Sequence, residues 1–235
     1  MKKLIAGLFA ITLLFTTQLQ ASAEQVERPS VTVTGHAEMA VVPDTAYISL
    51  GIVTTASDVA KAKAENDATM NRIYTAVELL GINKEQIQTS GFSIQPQYKQ
   101  NTKNDDATVI SGYRVQNTVT VKVTDFAQIS QVIDASSQAG ANQINGLRFA
   151  VNDESSLKDQ LLAKAILDGK HKAALIAETL GGSLGQATSV NLNGYSSPMS
   201  ENVRLYKADM ASSTPISAGT LSISADVNMA FQLNN

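Results

Sequence analysis

A period of four governs the stretch from Ser155 to Gly185, SSLKDQLLAKAILDGKHKAALIAETLGGSLG. Leu161, Ala165, Gly169, Ala173, Ala177 and Gly181 recur at every fourth position, so on a helix they stack into one ridge. Leu162, Ile166, Ile176 and Leu180 flank that ridge and widen its apolar face. A ridge made of alanine and glycine lets a helix backbone lie close against a sheet, while the flanking aliphatics fill the gap. Ser156 with Asp159 three residues on reads as a helix start, and Gly181-Gly182 as its stop. Such an element predicts a scaffold, a long helix laid on strands, and names no chemistry.

The first residues stand apart from the fold. Lys2 and Lys3, the apolar run from Leu4 to Phe15, and Ala21-Ser22-Ala23 have the form of an export signal with an A-x-A cleavage site. The run is too short to span a bilayer stably, and the polar residues Thr16, Thr17, Gln18 and Gln20 follow it. Residues 1–23 are expected to be a cleaved signal peptide, 24–30 a short linker and 24–235 one α+β domain, periplasmic or secreted. The chain has no cysteine, so it holds neither a lipobox to acylate nor a disulfide framework. Lys2 and Lys3 are the only charges in the leader, so cleavage takes the net charge from −3 to −5. A mildly acidic chain without a basic run argues against nucleic acid or an anionic bilayer as its main partner.

From Val31 the text alternates as a strand, with Gly35 marking a bulge or a close backbone approach. Pro43-Asp44 turns the chain into a second strand over Thr45–Thr55, and Ser57 is placed to cap a helix, with Asp58 in its first turn. That helix shows Val59, Ala62, Met70, Ile73, Val77 and Leu80 on one side and stops at Gly81. Strands follow over Ile87–Tyr98 and Ile110–Thr124, a long hairpin whose tip is the polar loop Lys99–Thr108. Asp125 with Gln128 opens a second helix, apolar at Phe126, Ile129, Val132 and Ile133, which ends at Gly140. A strand over Ile144–Val151 leads into the long helix; strands over Ala187–Tyr195 and Gly219–Leu233 come after it, separated by the loop Ser196–Ser217. That loop is long for a compact domain and is expected to serve function or assembly. The order from Thr45 to Val151 is the βαββαβ of a ferredoxin-like unit. The whole reads as α+β, a mixed, mostly antiparallel sheet with three main helices, with one hairpin arm before the unit and a helix with two strands after it.

Little in the chain can carry catalysis. His36 and His171 are the only histidines. His171 lies three residues after Asp168 and needs a serine such as Ser183 to be brought in by folding, while its neighbours Lys170 and Lys172 describe a solvated helix face. His36, beside Gly35, is expected to be exposed or hydrogen-bonded. There is no H-E-x-x-H and no calcium loop around Asp105-Asp106, so no metal and no cofactor are expected. Gly181-Gly182-Ser183-Leu184-Gly185 follows a helix and does not open one, so the dipole there repels anions and the segment is a C-cap. Tyr98, Tyr113, Tyr195 and Tyr206 fall at strand ends or loops, where aromatics serve packing or contact surfaces. Met199 and Met210 in the long loop are oxidisable, a weak basis for a scavenging role.

Several segments taken together resemble one family. Val31-Thr32-Val33-Thr34-Gly35 followed by Pro43-Asp44-Thr45-Ala46 is similar to the opening of SIMPL-domain proteins, long catalogued as a domain of unknown function. Ile87-Gln88-Thr89-Ser90, Phe92-Ser93-Ile94-Gln95-Pro96-Gln97-Tyr98 and Gly112-Tyr113-Arg114-Val115 with Val119 and Val121 resemble its centre. The helix from Lys164-Ala165-Ile166 to Leu180-Gly181, Leu184-Gly185, and Pro215-Ile216-Ser217-Ala218-Gly219 resemble its close. His36-Ala37 stands where relatives often carry a small residue and a glycine, which argues against a shared role for His36.

The resemblance implies an exported periplasmic or outer-membrane-associated protein, often immunogenic, linked to oxidative-stress defence. It further implies assembly into large homo-oligomers in some members, and gives no catalytic residue to carry over. The expected function is therefore non-enzymatic: a self-assembling envelope protein making contact through strand edges and the 196–217 loop. Two rivals remain: a ligand-binding module with a pocket between the long helix and the sheet, gated by Lys99–Thr108, and a hydrolase using His171, Asp168 and a serine. An outer-membrane barrel does not fit strands interrupted by three helices.

Overall fold

A computed structural model of the chain describes residues 29–99, 109–196, 199–200 and 218–234. The expected leader, most of the Lys99–Thr108 loop and most of the Ser196–Ser217 loop lie outside the described residues. The strands are β1 (Ser30–Val41), β2 (Thr45–Ala56), β3 (Ile87–Tyr98), β4 (Ile110–Val123), β5 (Gln143–Ala150), β6 (Ser183–Tyr195), β7 (Met199–Ser200) and β8 (Leu221–Asn234). The helices are α1 (Val59–Glu78), α2 (Gln128–Ala139) and α3 (Ser155–Thr179). The α+β class and the three main helices are as the sequence predicts. The strands, however, divide between two sheets, each with its own helical cover and its own core.

The long helix does what its spacing demands. Leu161, Ala165, Gly169, Ala173 and Ala177 are all buried, and α3 packs on β1 and β8. The approach is closest where two glycines meet. A Cβ on Gly35 would lie 2.0 Å from the Ala165 carbonyl oxygen, and one on Gly169 would lie 3.1 Å from the Gly35 Cα. Gly35 therefore serves close approach and not a bulge, since the β1–β8 register runs unbroken through Gly35 and Val227. Ile176 and Leu180, expected on the apolar face, are exposed at 38% and 72%. Both continue the Asp168–Lys172 row on the flank beside β1, the outermost strand of the sheet, so no strand lies beyond to cover them.

The start of α3 differs from expectation. The helix begins at Ser155 behind Glu154, which makes no side-chain capping bond, and the carboxylate of Asp153 just before it accepts from the Ser155 amide at 2.9 Å. This bond, with a second from the Ser155 hydroxyl, holds the Asp153 carboxyl below its ordinary range. The stop is as predicted: Gly181 takes a left-handed φ of 84°, its amide donates to Glu178, and the Gly182 amide donates to Ala177. At α1 the cap is shifted by one, the Asp58 side chain accepting from the Lys61 amide at 3.0 Å where Ser57 was expected.

The second sheet has the order β3-β4-β2-β5 with every pairing antiparallel, which is the ferredoxin-like arrangement predicted for Thr45–Val151. Helices α1 and α2 cover one face and bury Ile48, Leu50, Val119 and Val121 against Met70, Ile73, Ile129 and Val132. Asn66 is a buried polar residue on α1, as is Thr69; the Asn66 amide donates to the carbonyls of Ile52 and Val115, at 3.3 and 3.2 Å. The expected hairpin arm before this unit does not form. β1 pairs with β8, at the other end of the chain, in the order β1-β8-β6. Within the loop expected over Ser196–Ser217, β7 extends the β6 side of β8.

Candidate functional site

The residues proposed for hydrolysis do not come together. His171 is exposed on α3, and the Asp168 carboxylate is already engaged: it accepts from the Lys172 ammonium at 2.7 Å and from the backbone amide of His36 at 2.8 Å. Lys172, four residues along the helix, is the partner the carboxylate takes, and not His171 three along. The lysine hydrogen bond, and then the His36 amide, hold Asp168 below its ordinary range, which makes it a poor base. Ser183 sits at the start of β6, past the end of α3, whereas His171 lies eight residues, roughly 12 Å of helix rise, before the last helical residue Thr179. His36 is hydrogen-bonded, as expected: its Nδ1 lies 2.8 Å from the Asp226 carboxylate across a β1–β8 rung. Among the described residues no group of three side chains is placed to hold a metal ion.

Where Gly35 meets Gly169 the long helix lies directly on its sheet and leaves no room for a ligand at that crossing. The concavities along the described residues include one on α3 by Leu175, Ile176, Thr179 and Leu180. One of about 610 Å³ runs between α1 and α2 along Arg72, Ala76, Leu79, Ala135 and Ala139. Another, of about 290 Å³, lies on the ferredoxin-like sheet by Tyr47, Ser49, Thr120, Gly146 and Arg148. Of the tyrosines, Tyr98 is exposed at the end of β3, Tyr113 is half-buried, and the Tyr195 ring lies 5.7 Å from the Lys158 ammonium. Tyr206 and Met210 lie outside the described residues.

What the structure brings forward instead is a contrast between strand edges. An edge strand presents unpaired N–H and C=O groups that can recruit another strand. On β1 two of these groups are taken: Asp168 accepts from the His36 amide, Lys172 donates to the Thr34 carbonyl at 3.1 Å, and the two side chains bond each other. The ion pair is a clasp across that edge. At the opposite edge no described residue covers β6 in this way. Its thirteen residues, SLGQATSVNLNGY, contain no charge and no proline, and nearly all are exposed, Val190 at 53% and Leu192 at 44%. β3, an edge of the other sheet, is also uncharged and exposes Phe92 and Ile94. The carboxylate that the hydrolase rival would give to His171 is held by Lys172 instead; a carboxylate and a lysine four apart give no sign that their target is a strand far away in the chain.

The SIMPL family model, described as a protein of unknown function (DUF541), matches residues 31–231. The chain belongs to the SIMPL family. The 26 kDa periplasmic immunogenic protein of Brucella melitensis is 27% identical to this SIMPL chain over 241 residues, covering 98% of this chain and 96% of that one. The uncharacterized protein YggE of Escherichia coli K12 is 28% identical over 216 residues, covering 89% and 85%. That of Edwardsiella ictaluri is 25% identical over 187 residues, covering 80% and 77%. The match takes in both sheets and all three helices, including the clasped and the open edges of the SIMPL chain. Among its described residues no helix is long and apolar enough to cross a membrane.

Proposed function

We propose that this SIMPL chain is an exported, non-enzymatic periplasmic protein that works by associating with further copies of itself and contributes to envelope protection under oxidative stress. Export rests on the signal pattern over residues 1–23, which leaves 24–235 as the working protein, and on the periplasmic designation of the Brucella relative. One observation carries the self-association: a long, uncharged edge strand, β6, stands open in the same sheet whose other edge is clasped by Asp168 and Lys172. Natural sheets place charges, bulges or cover on edges meant to stay single. β6 keeps only its bulges and displays Val190 and Leu192. The stress role follows from the family resemblance and is tested separately.

Light scattering and sedimentation of residues 24–235 give the first test. The expected result is an oligomer that Val190→Lys with Leu192→Lys dissociates while the fold persists. A strictly monomeric wild type at high concentration would overturn the reading. In cells, loss of the gene should raise peroxide sensitivity, and the lysine variant should fail to restore it where the wild type does.

A further inference from the structure

The four strands of the ferredoxin-like sheet contain Arg114, Lys122 and Arg148 and not one Asp or Glu. Register places all three cations on the face turned away from α1 and α2. Tyr47 pairs with Lys122 on one side and Arg148 on the other, and Thr55 pairs with Arg114, whereas the alternating Ala46, Ile48 and Val121 are the ones in the core. A chain of net charge −3 has thus gathered an acid-free cationic face.

One part of that face is shaped. The Arg148 guanidinium carbon lies 4.5 Å from the centroid of the Tyr47 ring. Stacking occupies the flat side of the guanidinium and leaves its N–H edge free. The ion pairs among the described residues involve neither Arg148 nor Lys122. The Lys122 ammonium meets only a neutral acceptor, the side-chain oxygen of Asn152 at 2.5 Å. Beside this rung is the concavity of about 290 Å³. Its floor is the next rung, Thr120, Ser49 and Gly146, which offers two hydroxyls and bare backbone. A Cβ added at Gly146 would touch nothing within 4 Å, so the space above it is open.

The geometry points to a binding site for a small ligand that carries an oxyanion, a phosphate or a carboxylate. The guanidinium edge of Arg148 takes two of its oxygens and the hydroxyls of Ser49 and Thr120 donate to what remains, while Lys122, across Tyr47 and outside the lining, adds a positive charge nearby. A phosphate strand is the poorer fit. Arg114, the next cation on the face, stands eight residues along β4 from Lys122, roughly 27 Å, with only neutral residues between. The inference does not depend on self-association, because the site is complete within one chain.

Phosphorus-31 relaxation of inorganic phosphate and proton saturation transfer to citrate, on the full 24–235 chain, read binding whatever the size of the assembly. Saturable binding of one probe or both is expected, over a background of sodium chloride at matched ionic strength. Phosphate alone, or citrate alone, identifies the class of ligand. Arg148→Gln should weaken binding roughly tenfold and Arg148→Lys by less, with Arg114→Gln unchanged. Arg148 is exposed, so its variants should keep the wild-type melting temperature; Lys122→Gln gives the same reading should one of them not fold. No saturable signal for either probe, complete displacement by chloride, or an Arg148→Gln protein that binds like wild type would each overturn the site.

Discussion

Gly35 and Gly169 face each other across the closest approach of helix and strand, yet a methyl group added at each should do different damage. At Gly35 the new Cβ would meet Ala165 O at 2.0 Å, Gly169 N at 2.9 Å and Ala165 C at 3.0 Å, all backbone of α3. No rotamer change relieves that, so the helix must lift and the buried ridge with it. Gly35→Ala is expected to destabilise by about 3 kcal/mol or more. At Gly169 the severe contact is the Met229 methyl at 1.9 Å, the far end of a flexible side chain, and the Gly35 atoms at 3.1 Å need give only a little. Alanine also suits a helix interior better than glycine by about 1 kcal/mol. Gly169→Ala should therefore lose only about 1–2 kcal/mol. Urea unfolding of the two variants checks the order; equal losses would mean that Met229 does not yield. Both glycines were visible in the sequence as signs of close approach. That they approach each other was not, because periodicity reports which face of an element is small and never which partner it meets.

At the level of elements, the clasp on β1 makes a pH prediction whose sign follows from Asp168. Its carboxyl is held below the ordinary value of 3.8, first by the lysine hydrogen bond and then by the His36 amide. A group with a lower pKa folded than unfolded binds fewer protons in the folded state. Its contribution is therefore complete above the ordinary value and lost as the pH falls through the depressed one. Asp153, lowered by its bond to the Ser155 amide, acts with the same sign. Melting temperatures followed from about pH 6 to about pH 2 should show Asp168→Asn below wild type at the top of that range and merging with it at the bottom. A gap that stays constant across the range would sink the assignment. At neutral pH the same variant, and Lys172→Ala, should also exchange the His36 amide faster and scatter more light, because the freed β1 edge can then pair. The sequence showed where the strands lie, often to the residue, as at Ile87–Tyr98. It could not show which of them are edges, and hence could not show that Asp168 reaches toward β1 and away from His171. Helix spacing is local, whereas strand neighbours are settled by the whole chain.

For the molecule as a whole, reading the chain in order predicted one sheet, and the reason it forms two lies in where the ends of the middle segment meet. Sheet β1-β8-β6 is built from both ends of the chain, and the continuous ferredoxin-like unit is inserted between β1 and α3. The insertion is pinned at its base: the Asp44 amide donates to the Ala150 carbonyl at 3.2 Å, and the Asp44 carboxylate accepts from the Asn152 amide at 2.7 Å. A long segment whose ends are held together adds little closure entropy to the sheet that hosts it. The extensively packed element pairs also fall within one unit or the other, and each core is complete in itself. The βαββαβ order was legible because it is consecutive. The pairing of β1 with β8 was not, since nothing in an alternating strand specifies a partner so distant in the chain. A fragment spanning residues 43–152 should accordingly fold alone, with dispersed amide resonances and one cooperative urea transition. Asp44→Ala, which unties the base, should lower its midpoint without abolishing the transition. An unfolded fragment would show that the ferredoxin-like core needs the glycine-packed sheet, and the two-unit description would then fail.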